Sequence, residues 1–107
     1  MVMDNEITVI IEAIKSAIPI ERIYLFGSFA KGTQTEDSDY DFYVLIPDGG
    51  IKPLDAMREA RYSLIPLNRK TPIDILADYK SRFNQRSKYN TLERRVANEG
   101  VVLYERA

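Results

Sequence analysis

The sequence predicts an α+β fold with a small mixed β-sheet and helices packed on it, on three observations. Isoleucines at 7, 10, 11, 14 and 18 recur with the period of a helix. Short β-rich runs occur at 22–26, 40–46 and 72–77. Strand and helix patterns interleave in the order α-β-(turn)-β-α-β-α-α-β, which suits a sheet with helices laid on it.

Asn5 or Asp4 is the candidate cap of the first helix, and Pro19 follows its end. Arg22 to Phe26 reads as a strand stopped by Gly27. Residues 28–38 are small and polar and predict a short helical turn, then a loop. Tyr40 to Ile46 is the second strand, ended by Pro47-Asp48-Gly49-Gly50. Pro53 suits the first turn of a helix whose apolar face is Leu54, Met57, Ala60, Leu64 and Ile65. Pro72 to Ala77 forms the third strand, with Asp78 as cap of the following helix. Asn90 and Glu93 have the spacing of a capping box for a last helix that buries Leu92 and Val96 and ends at Gly100. Val101 to Tyr104 is a short final strand.

The 107 residues read as one domain, 1–107, with a modest core and room for one active site. A formal net charge of -1 argues against a chain whose main task is to coat nucleic acid. With no cysteine and no histidine, disulfides, thiolate metal sites, a Cys nucleophile and a Ser-His-Asp triad are excluded. Acid–base chemistry then falls to carboxylates, Lys, Tyr or metal-bound water. The absence of a signal-peptide pattern and of any long apolar run predicts a cytoplasmic protein without membrane contact.

Asp39 and Asp41 stand two apart at the start of a strand, so both carboxylates leave one face while Tyr40 and Phe42 turn to the core. Neighbouring carboxylates repel unless a cation lies between them, and a hard cation such as Mg²⁺ also takes phosphate oxygens. Upstream, Gly27 permits a tight turn and close approach of backbone to a ligand. Exposed N–H groups there, the Ser28 hydroxyl and the Lys31 charge suit phosphate. Asp74 lies between Ile73 and Ile75, where a carboxylate is costly unless paired. It is the candidate third metal ligand and general base for an acceptor hydroxyl.

The stretch Gly27-Ser28-Phe29-Ala30-Lys31-Gly32, followed by Ser38-Asp39-Tyr40-Asp41, resembles the signature of the DNA polymerase beta-like nucleotidyltransferases. The short chain, Pro72-Ile73-Asp74-Ile75 and the ending Glu99-Gly100-Val101-Val102-Leu103-Tyr104-Glu105 are similar to the minimal nucleotidyltransferases. Lys31 stands where Arg is common, which keeps the charge but loses a bidentate grip. The resemblance implies transfer of a nucleoside monophosphate, AMP from ATP or another NTP, with two Mg²⁺ ions and release of pyrophosphate. It implies Gly27, Ser28, Lys31 and Ser38 at the phosphates, Asp39, Asp41 and Asp74 on the metals, and Asp74 at the acceptor. It further implies a HEPN-type toxin as partner and acceptor, which makes this chain an antitoxin.

Competing readings are weaker. Asp37, Asp39 and Asp41 open like an EF-hand loop, but Phe42 and Asp48 occupy the places of its Gly and Glu. Gly27 and Gly32 have P-loop spacing, but Thr33 stands where that motif needs Lys. Six basic residues against one acidic between Lys80 and Arg95 read first as a solvated helix face and second as a phosphate or RNA patch. Tyr79, Phe83 and Tyr89 read as core or interface. A module that neutralises a partner by contact alone, and a small-molecule nucleotidyltransferase acting as a homodimer, are the alternative functions.

Overall fold

The computed structural model describes residues 5–107. Its elements are α1 (Asn5–Ala17), β1 (Arg22–Phe26), α2 (Gly27–Lys31), β2 (Tyr40–Ile46), α3 (Pro53–Leu64), β3 (Ile73–Tyr79), α4 (Lys80–Arg86), α5 (Leu92–Glu99) and β4 (Val101–Glu105). The order matches the expected one. The four strands form one sheet in the order β3-β2-β1-β4. β2 pairs with β3 in parallel and β1 pairs antiparallel with both β2 and β4, so the sheet is mixed as expected. A parallel pair cannot be joined by a hairpin; α3 is the crossover that makes it.

The sheet is covered on both sides. α1 and α3 pack on one face with Ile23, Leu25, Tyr40, Phe42, Val44, Ile75 and Ala77. Phe83 of α4 and Val96 of α5 seal the other over Tyr24, Tyr43 and Leu45. β2, buried on both faces except at Asp41, is the hub. Among the described residues no helix is long and apolar enough to cross a membrane.

Several boundaries differ from expectation. The proposed cap Asp4 lies outside the described residues. α3 buries Ala56, Ala60 and Leu64, not Leu54 and Ile65, which are 77% and 71% exposed. The alanines face inward because they let α3 lie close to its neighbours, and size lost to position. β3 runs on to Tyr79, so Asp78 lies within the strand; its Oδ1 accepts from the Tyr79 N–H at 2.7 Å and pairs with Arg82 at 3.4 Å. Thr91, not Asn90, caps α5, accepting from the Arg94 N–H at 3.2 Å. Leu92 and Tyr89 are exposed, whereas Phe83 is core as expected.

Glu93 is not the carboxylate of a capping box. It is buried, accepts from the Tyr43 hydroxyl at 2.8 Å and pairs with Arg86 Nε at 3.0 Å. Burial alone would push its carboxyl up, but hydrogen bonds from Tyr43 and Arg86 hold it below its ordinary 4.5. Burial and the same bond push the Tyr43 hydroxyl up, so it stays a donor. These contacts pin α4 and α5 to β2. Glu93→Ala leaves a buried hydroxyl unpaired and is expected to cost about 1–3 kcal/mol at neutral pH, read by denaturant unfolding. A carboxyl depressed in the folded state stabilises above its unfolded pKa and loses that as pH falls through the folded one. The gap between wild type and variant should therefore close in acid.

Candidate active site

Three strands bring the predicted residues to one end of the sheet. Phe26, the last residue of β1, pairs with Asp41 of β2, and Asp41 pairs with Asp74 of β3. The row Phe26-Asp41-Asp74 thus crosses the sheet on the face away from α1 and α3. Asp39 lies just before β2, and the Tyr40 N–H donates to the Pro72 carbonyl at 2.9 Å, which ties that segment to the start of β3.

Gly27 sits against this row. Its φ is +73°, a conformation natural to glycine, and a Cβ placed there would strike Asp41 Oδ2 and come within 3.3 Å of its Cγ. The turn that opens α2 is therefore in direct contact with the central carboxylate. Phe29 holds α2 in place by packing on Tyr40, with ring centroids 4.4 Å apart. The Ser28 hydroxyl has no hydrogen-bond partner among the described residues, and the first N–H groups of a helix have none within the helix. Lys31 is exposed and faces Glu99 of α5 at 3.9 Å. Ser38 is engaged in the loop, where its Oγ accepts from the Thr35 N–H at 2.9 Å.

Burial pushes the Asp41 carboxyl up, and the charges of Asp74 and Asp39 add to it. All three carboxylates therefore share one field. The donor set, oxygen only and crowded with like charge, fits a hard divalent cation. Among the described residues no three such side chains stand close enough together to hold one ion.

One expectation is overturned. Asp74 is not a buried charge in need of a partner: β3 is an edge strand, and Asp74 faces solvent. The apolar neighbours Ile73 and Ile75 belong to the opposite face, and Leu76, on the Asp74 side, is itself partly exposed. Among the described residues Asp74 forms no ion pair: Arg22 pairs with Glu105, and Arg58 with Asp55 and Glu59.

The family model described as "Polymerase beta, Nucleotidyltransferase" matches residues 8–107. The chain belongs to that nucleotidyltransferase family. No curated protein sequence matches it. Solved structures share the fold. A toxin–antitoxin with AMP-PNP is 25% identical at TM-score 0.62, covering 96% of this chain and 75% of that one. A mutant of the toxin–antitoxin MntA–HpeT is 28% identical at TM-score 0.65, covering 97% and 75%. A candidate nucleotidyltransferase from Sulfolobus solfataricus is 17% identical at TM-score 0.65, covering 94% and 78%, and is alike in fold. The likeness to the minimal nucleotidyltransferases is thus supported along nearly the whole chain. In this nucleotidyltransferase, sequence reasoning missed one wall of the site. A cleft of about 170 Å³ beside Gly27 is lined by Phe26, Lys31, Leu92, Arg95 and Glu99. The available signal was the spacing of Leu92, Arg95 and Glu99, which puts all three on one side of α5.

Proposed function

We propose that this chain, acting as one cytoplasmic domain, moves AMP from ATP to a hydroxyl of a partner HEPN-type toxin and so serves as its antitoxin. The observation that carries the reading is the contact of Gly27 with Asp41, which joins a phosphate turn to an acidic row. The partner is suggested by the toxin–antitoxin complexes that this fold resembles, and the adenine base by the AMP-PNP in one of them.

Gly27 and Ser28 hold phosphate oxygens through N–H groups and the Ser28 hydroxyl. Asp39, Asp41 and Asp74 would hold two Mg²⁺ ions, which when bound supply positive charge to the phosphates and lower the barrier to attack. Asp74 takes the proton of the acceptor hydroxyl. The acceptor oxygen forms its bond to the α-phosphorus as the bond from that phosphorus to the bridging oxygen breaks, and pyrophosphate leaves with the electron pair. Asp74 suits the base because its strand edge is open to an incoming partner.

Intact-mass spectrometry of chain and toxin with Mg²⁺ and ATP should show the toxin gaining the mass of AMP. Asp74→Asn is expected to slow that transfer roughly 10²–10⁴-fold, far more than it weakens nucleotide binding, with the fold intact. Neutralisation of the toxin with no added mass would instead favour a contact inhibitor. Efficient transfer to a small molecule by this chain alone would replace the partner by a metabolite.

A further inference from the structure

We infer that Arg95 of α5 binds the outer phosphates of the nucleoside triphosphate and stabilises the departing pyrophosphate. The inference rests on the nucleotidyl transfer proposed above and adds a residue outside the Gly27-Ser28 turn and the aspartates.

Charge around Gly27 is divided. On one side lie Asp39, Asp41 and Asp74, whose fields converge on Asp41. On the other lies the cleft that runs between α2 and α5, with Gly27 on its wall and Lys31 and Arg95 as its cations. A triphosphate whose α-phosphorus lies at the carboxylates and whose chain passes over Gly27 enters that cleft with its β- and γ-phosphates. The bond that breaks leaves new negative charge on the oxygen bridging to the β-phosphorus, at the mouth of the cleft.

Arg95 is placed for this by its helix. Thr91 caps α5, Val96 is fully buried against the sheet, and Glu93 is held by Tyr43 and Arg86. The backbone that carries Arg95 is therefore fixed. Glu99 stands one turn further along α5, yet it pairs with Lys31, and Arg95 forms no ion pair among the described residues. The fork of a guanidinium matches two phosphate oxygens, the grip that Lys31 lacks. Arg94, the preceding residue, does not line the cleft.

Binding of ATP, inorganic tripolyphosphate and AMP to the purified chain, with Mg²⁺, tests the inference by calorimetry. Arg95→Gln should weaken ATP and tripolyphosphate about tenfold or more, the scale of one hydrogen bond to a charged group, and leave AMP unchanged. Arg94→Gln should change none of the three. Equal ATP and tripolyphosphate binding by wild type and Arg95→Gln would overturn the inference. So would an equal loss in Arg94→Gln, which signals general charge attraction, or an equal loss for AMP, which places Arg95 at the nucleoside. Failure of wild type to bind ATP would instead sink the nucleotidyl-transfer reading itself.

Discussion

Asp41→Asn is expected to lower nucleotide transfer by roughly 10²–10³-fold or more, the scale on which loss of one charge-stabilising group acts. It is also expected to raise the melting temperature of the ligand-free protein. The two effects have one cause. The Asp41 carboxyl is pushed above its ordinary 3.8 by burial and by Asp74 and Asp39. Between that value and its raised folded one, the native state holds a proton that the unfolded state has released, so stability falls as pH rises through the window. The penalty on the wild type grows as pH rises through that window, and the uncharged amide escapes it. Melting curves at acidic and neutral pH should show the variant's advantage growing with pH. A variant that melts below wild type at neutral pH would refute the repulsion account, and one that keeps its transfer rate would refute the assignment of Asp41.

Gly27→Ala is expected to damage both stability and activity. A β-carbon in a left-handed conformation costs roughly 1–2 kcal/mol, and here it also strikes the Asp41 carboxylate. For a domain near 100 residues, each 1 kcal/mol moves the melting temperature by about 4–8 °C. Displacing Asp41 removes the alignment of phosphate turn and carboxylate as well. Gly32 is the matched control: its φ is +74°, and a Cβ there meets nothing within 4 Å. Gly32→Ala should show the backbone cost with transfer retained. Equal activity losses in the two variants would mean that the contact with Asp41 carries no function.

The sequence patterns located β1 and β2 to the residue, because turn formers bracket both and β-rich side chains fill them. The gathering of Gly27, Asp41 and Asp74 was legible as a motif but not as a geometry: the pairing of Asp41 with Asp74 belongs to a parallel register that α3 sets from a distance. Asp74 was misjudged because a linear run of apolar neighbours does not tell which face of a strand is covered. The face of α3 was misjudged because alanine outcompeted leucine where helices lie close. The role of Glu93 was illegible and that of Arg95 only half legible, as one cation of a basic stretch, for one reason. Each meets its surroundings across tertiary contacts, Glu93 with a tyrosine fifty residues away.

The way β4 closes on β1 has a kinetic consequence. Arg106 donates its N–H to the Glu21 carbonyl at 2.9 Å, and the two residues are 85 apart in sequence. Arg22 reaches Glu105 at 2.9 Å beside them. Closing so long a loop costs entropy before any bond repays it, and such distant strand pairs form slowly. β1, which delivers Gly27 to the site, therefore acquires its second neighbour late in folding. The row that gathers Asp41 and Asp74 needs only β2 and β3, but the strand that leads into Gly27 is flanked on both sides only once the last strand is seated.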